Sequence, residues 1–290
     1  MVNRFPFASP TRLLIAFVAI GLAGSATQSQ DKAAGASQPP ESQPASKPNP
    51  DSEWLARASK LYYSSKKAGL TGFDCDVHPD WHTLFVSANK GDAIAEDDPR
   101  IVLLKTVKIT IHARMKGGST IDWVASNPDQ PLDKSYADML DGMHQAVQQS
   151  LGGFMQFWTP FVDGTAVPDS TEGLDITHTA TVHTLHAKQG DTEVTEILSS
   201  DQVLEQFNVN LNGNSVKFSP MFKPTAQGLL VNRFVAHILP AGTPPEQTQE
   251  MTVDIDYQPV GGFMIPSQLN MAVINSGEFN FAFDGCITNP

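Results

Sequence analysis

Residues 251–257 read MTVDIDY. Met251, Val253, Ile255 and Tyr257 fall on one side of an extended chain, and Thr252, Asp254 and Asp256 on the other. Successive side chains of a strand point to opposite faces, so this segment has one dry face and one wet face. Clean alternation of that kind marks an antiparallel sheet, because parallel sheets are covered on both sides. The pattern recurs on either side. Phe207, Val209 and Leu211 oppose Asn208, Asn210 and Asn212, and Phe279, Phe281 and Phe283 oppose Glu278, Asn280 and Asp284.

Outward from these stretches, residues 174–290 read as almost entirely β, with strands near 174–187, 191–198, 202–211, 215–219, 229–239, 250–258, 262–274 and 277–286. Gly190-Asp191 and Asn212-Gly213-Asn214 are hairpin turns. Earlier in the chain, Phe73, Cys75 and Val77 alternate with Asp74, Asp76 and His78, and residues 102–125 read as a hairpin turning at Lys116-Gly117-Gly118. Helical periodicity is confined to three places. One helix runs from a cap at Asp51 or Ser52 to about Lys67, with Trp54, Leu55, Ala58, Leu61 and Tyr62 on its apolar face and Gly69 as its stop. A short one spans roughly 79–89. The clearest, 133–151, carries the stripe Tyr136, Met139, Leu140, Met143, Val147 and Leu151, and Gly152-Gly153 is expected to break it.

About ten antiparallel strands with few helices define an α+β chain that is mostly β. A large twisted sheet is expected to curl into a half-barrel, with the helices covering its concave face. No repeat of 20–50 residues is present, which excludes propellers and solenoids.

Residues 1–26 read as a secretory signal: Arg4 and Arg12, then the apolar run Leu13 to Ala23, then the small residues Gly24-Ser25-Ala26 with the cut after Ala26. The run is short for a bilayer span, which takes about 20 residues. Residues 27–51 are rich in Pro, Ser, Gln and Ala and read as a disordered tether. A single domain is expected over 52–290. Nineteen basic against 31 acidic side chains give a net charge of −12. That balance argues against nucleic acid and against anionic lipid surfaces. The two cysteines, Cys75 and Cys286, are expected to form a disulfide in a periplasmic or secreted protein of the cell envelope.

The ends of the domain resemble a known family. Leu55, Ala58, Leu61 and Tyr62, followed by Leu70-Thr71-Gly72-Phe73, resemble the entry to the LolA-like outer-membrane lipoprotein-sorting carriers. The segment Asp254-Ile255-Asp256-Tyr257-Gln258-Pro259-Val260-Gly261-Gly262-Phe263-Met264-Ile265-Pro266-Ser267 resembles that group's late hairpin. The resemblance covers about a quarter of the chain. It implies an unclosed antiparallel half-barrel, helices in its mouth, and carriage of lipid or lipoprotein acyl chains without chemistry or cofactor.

Enzyme signatures are missing: no Gly-x-Ser-x-Gly, His-Glu-x-x-His or Cys-x-x-Cys, and no phosphate- or dinucleotide-binding glycine loop. Asp74, Asp76, His78, Asp80 and His82 form the densest polar cluster, and a metal-dependent hydrolase built on Asp76, His78 and His82 is one alternative. The other reading of this cluster is a solvated strand face followed by a helix start, with Asp80 at the positive end of the dipole. No metal is assigned. On a single strand from Ile176 to Ala187, His178 and His186 would share one face and His183 the other, too far apart to chelate. The segment that draws most attention is Met139, Met143, Phe154, Met155, Phe157 and Trp158, a flexible and aromatic surface suited to variable apolar cargo. It is read as a lid hinged at Gly152-Gly153 over a cavity walled by Phe279, Phe281 and Phe283. The leading expectation is an exported, non-enzymatic carrier of an acyl chain or other apolar ligand. The main alternative is an envelope interaction module with a filled core and a protein partner.

Overall fold

The computed structural model describes residues 49–289, apart from 89–92, 116–117, 126–132, 165 and 275–276. The signal segment, nearly all of the tether and the tip of the 102–125 hairpin lie outside the described residues. Among the described residues, twelve strands form a single antiparallel sheet. They are β1 (Gly72–Pro79), β2 (Lys108–Arg114), β3 (Gly118–Val124), β4 (Leu174–His178), β5 (Val182–Gln189), β6 (Thr192–Ser199), β7 (Leu204–Leu211), β8 (Asn214–Thr225), β9 (Gly228–Leu239), β10 (Gln249–Val260), β11 (Phe263–Val273) and β12 (Gly277–Asn289).

The order across the sheet is β3-β2-β1-β12-β11-β10-β9-β8-β7-β6-β5-β4. A nine-strand meander, β4 to β12, thus meets a three-strand leaf, β1 to β3, at the β1–β12 seam. The sheet stays open and does not curl round on itself, since β3 and β4 are separate edges. Its apolar face is buried instead by helices: α1 (Pro50–Ala58), α2 (Ser65–Ala68), α3 (Trp81–Ala88), α4 (Pro99–Leu104) and the long α5 (Lys134–Val162). The architecture is α+β and mostly β, as the alternation implied.

The seam carries the disulfide. Between the pairs Asp74–Ile287 and Asp76–Asp284, β1 supplies one residue and β12 supplies two. Gly285 takes up the extra residue at φ 56°, the glycine position of a β-bulge. Strict alternation would put Cys286 on the outer side with Asp284. The bulge turns it inward, where it bonds Cys75 with Cα atoms 4.1 Å apart. The expected link between the two ends of the folded chain is present.

Several elements differ from their sequence reading. The first helix starts earlier, at Pro50, because Asn49 caps it by accepting from the Asp51 amide. It also ends at Ala58, with a 3₁₀ turn to Leu61, and α2 begins afresh under a second cap, Ser64. Between them Tyr62 and Tyr63 run extended beside β9, and Tyr62 bridges Leu229. This approach is so close that a Cβ on Gly228 would lie 2.7 Å from the Tyr62 carbonyl carbon. Residues 99–104 are helical rather than the start of a hairpin, since Asp98 accepts from the Arg100 amide and Pro99 opens the turn.

Strand β8 runs on through Pro220 and Pro224, past the expected end at 219. Its ladder with β7 stops at Phe207–Phe218, so neither proline, which has no N–H, has to donate on that side. The stretch 174–187 is two strands, which gives twelve rather than about ten overall. The expected break at Gly152-Gly153 is also absent: α5 runs straight through both glycines. Two interior glycines cost about 1 kcal/mol each. The buried Leu151, Phe154, Phe157, Trp158 and Phe161 on the same helix face offset that cost.

Candidate functional site

The site to be tested is the apolar seam between α5 and the sheet. Its C-terminal half is an aromatic knot. Phe157 lies 4.2 Å from Phe218 of β8 and 4.0 Å from Phe234 of β9, ring centre to ring centre. Phe161 meets Phe207 of β7 at 6.2 Å. Trp158 stacks along the helix on Phe154 and meets Phe73 of β1 edge-on. Trp158 Nε1 donates to the Tyr257 hydroxyl at 2.9 Å, and that hydroxyl donates to the Val231 carbonyl at 2.6 Å. Burial drives the Tyr257 hydroxyl far above the ordinary tyrosine range, so it stays protonated. Ser65 Oγ donates to the Val162 carbonyl at 2.7 Å, and Ser64 Oγ to the Asp163 carbonyl at 3.1 Å. These two bonds satisfy carbonyls at the helix C-terminus.

The N-terminal half of α5 is held differently. Met143 and Val147 are buried and Met139 is half-buried. Trp123 of β3 stacks on His144 at 5.0 Å. Among the described residues, no hydrogen bond joins a side chain of 134–151 to the sheet, and His144 Nε2 and Ser150 Oγ are buried without a partner. Beneath Val147 a crevice runs between Trp81, Leu84, Phe279 and Phe281. No part of it is wide enough for a water molecule.

The structure therefore places every residue of the expected lid and wall on the inner face. Met139, Met143, Phe154, Met155, Phe157 and Trp158 lie on one continuous helix, and Phe279, Phe281 and Phe283 on β12. Val147 joins Phe279 and Phe281 across the crevice. The aromatic knot instead recruits Phe207, Phe218 and Phe234, of which only Phe207 had been singled out.

One inward residue escaped the sequence reading. Glu196 of β6 stands between Leu185 of β5 and Phe207 of β7, and its Oε2 has no partner. The signal was there in the parity of Val194, Glu196 and Leu198. Burial pushes its carboxyl up to about 8 from an ordinary 4.5. Below about pH 4.5 both the folded and unfolded chains hold the proton. Between there and about pH 8 only the folded chain does, so unfolding releases a proton and stability declines as pH rises. Urea midpoints measured from pH 4.5 to 8.5 should show this decline, and Glu196→Gln should flatten it.

The outer face carries the polar clusters. His112 of β2 is bonded at both nitrogens, to Asp74 at 2.8 Å and Asp122 at 3.2 Å. These carboxylates, Asp74 first, raise its pKa, and no ring nitrogen is left for proton transfer. Burial alone would raise the Asp74 carboxyl, but hydrogen bonds from Arg114, His112 and Asn289 take it below the usual range. Asp76 is held by Thr110 and Lys108, and His78 by Asp284. His82 meets the Ile94 carbonyl in the segment between α3 and α4. Asp80 accepts from the Thr83 amide at the start of α3, the helix-start role. Among the described residues no three His, Cys, Asp or Glu side chains converge as metal ligands.

His178 and His183 are placed otherwise than the single-strand reading had them. They sit on β4 and β5 as directly paired residues of one hairpin, on the inner face, while His186 bonds Glu193 on the outer face. The turn has no glycine or proline. Thr179 closes it, its hydroxyl donating to the Val182 carbonyl and accepting from the Val182 amide.

Comparison of the chain with protein-family models, curated proteins and solved structures gave no match. Among the described residues no helix is long and apolar enough to cross a membrane. The Cys75–Cys286 bond fits an extracellular or periplasmic compartment.

Proposed function

We propose that the protein is an exported, non-enzymatic binding protein of the cell envelope, which takes an acyl chain or other apolar ligand between α5 and the sheet. The observation that carries this reading is the unequal anchoring of α5. Its C-terminal half is tied by hydrogen bonds from Trp158, Ser64 and Ser65. Its N-terminal half, with Met139 and Met143, rests on the sheet by apolar and ring contact. Lifting that half exposes the crevice wall of Val147, Phe279 and Phe281, and an apolar ligand entering there leaves water at about 25 cal/mol per Å². Methionines adapt to varied cargo shapes. The likeness of the opening helix and the Asp254–Ser267 hairpin to LolA-like carriers supports the same reading.

The test is titration of the delipidated protein with a fluorescent fatty acid, together with hydrogen exchange of 134–151. The expected result is saturable uptake with exchange altered in that half of the helix and unaltered in the Phe154–Val162 half. An absence of uptake, with a clean native mass after purification without detergent, would sink the carrier. It would then favour an envelope interaction module, a reading that the closely packed crevice supports on its own.

A further inference from the structure

We propose that His178 and His183 form a two-imidazole binding site for copper(II), at the β4–β5 edge under α1. The ring geometry carries the inference. His178 Nδ1 and His183 Nδ1 lie 2.8 Å apart. His178 Nε2 lies 3.1 Å from Asp51 Oδ1. A carboxylate only accepts, so the proton of a neutral His178 ring sits on Nε2 and its Nδ1 offers a lone pair. A hydrogen bond with the Ser200 backbone favours the charged form of His183. In the metal-free protein His183 Nδ1 donates to the His178 lone pair, and an ion that takes the proton's place finds both nitrogens within chelating reach. Burial and the neighbouring His178 together disfavour a proton on His183.

The spacing also speaks to the metal. Nitrogens about 2.0 Å from an ion and at right angles to each other are separated by about 2.8 Å, as in square-planar copper(II) or nickel(II). Tetrahedral zinc at about 2.0–2.1 Å would need about 3.3 Å. Copper(II) leads the affinity order for such nitrogen donors. The remaining coordination positions fall to water. Asp51 does the orienting work that carboxylates do behind metal-bound imidazoles. Trp54 of α1 covers the pair, with ring centres 5.1 Å from His178 and 4.8 Å from His183. The ion would thus tie β4 to β5 directly and, through Asp51, hold α1 at the sheet edge. Nothing in this site depends on the carrier reading.

The full chain, stripped of metal, is titrated with copper(II) at pH 7.5 and followed by calorimetry and tryptophan emission. The expected result is saturable binding of one ion, quenching of Trp54, and a paramagnetic resonance spectrum with two coupled imidazole nitrogens. His178→Ala and His183→Ala should each abolish binding while leaving the far-ultraviolet circular dichroism unchanged. Asp51→Asn should weaken it by about tenfold. Trp54→Phe should remove the quenching and keep the calorimetric signal. Zinc should bind more weakly than copper. Failure to bind copper, or equal binding by the His178→Ala/His183→Ala double variant, overturns the site and leaves a shared proton between the rings.

Discussion

Replacing Trp158 with alanine is expected to lower the stability of the protein by about 4 kcal/mol. At roughly 2–4 °C per kcal/mol for a chain of this size, the melting temperature should fall by about 8–16 °C. The reason is where the indole sits. It is 1% exposed, meets Phe73 on the N-terminal leaf and Phe154 on its own helix, and donates to Tyr257 on β10. One side chain thus contacts both parts of the sheet. Alanine leaves a void that the surrounding strands are too constrained to fill. Trp158→Phe separates the two contributions: it retains most of the volume, loses the hydrogen bond and should cost only about 1 kcal/mol for that bond, with some packing loss besides. Differential scanning calorimetry of both variants decides the matter. A melting point unchanged in Trp158→Ala would mean that the indole is not a packing centre.

Removing the disulfide should have an effect of similar size. The Cys75–Cys286 bond closes a loop with a sequence separation of 211. In the chain-entropy model a loop of that length stabilises by roughly 5 kcal/mol, and measured values generally run to about 2–4 kcal/mol. The double variant Cys75→Ala/Cys286→Ala should therefore melt about ten degrees lower. Scanning calorimetry with and without a thiol reductant provides the control, since only the native protein should respond to reductant. Equal melting of the native and double-variant proteins would show that the β1–β12 ladder suffices.

The parts of the fold visible in the sequence are those where one physical rule acts alone. Met251–Tyr257 and Phe279–Phe283 alternate because one side is wet, and they form strands of the expected parity. The pairing of two lone cysteines followed from their number. Where two rules compete, the sequence misleads. Gly152 and Gly153 disfavour helix locally, yet the buried side chains around them hold the helix intact. Pro220 reads as a strand end, but it lies where β7 has already dropped out of the ladder.

The β4–β5 turn was hidden because the Thr179 hydroxyl does the work usually signalled by glycine or asparagine. That one missed turn reversed the parity of His183 and concealed its pairing with His178. Of the candidate site, the helical stripe was legible from its period. The partners in the aromatic knot were not, because they come from β8 and β9, strands whose position opposite the helix depends on the whole order of the sheet.

That order has a consequence for how the molecule comes to be built. The strand β1 is the first in the sequence, and on one side its ladder is completed by β12, the last. Between them the meander grows by neighbour pairing, each new strand adding to the one just made. On that side β1 has no strand to pair with until β12 exists. A ribosome or an export channel delivering the chain from its N-terminus therefore releases the leaf early and leaves one edge of β1 unpaired until the last strand emerges, while α5, made long before, can already cover the leaf's apolar face. A holdase, or a delay of folding until the chain is whole, is the natural remedy. The Cys75 thiol waits through the same interval, so the bond to Cys286 records that the final strand has arrived in register.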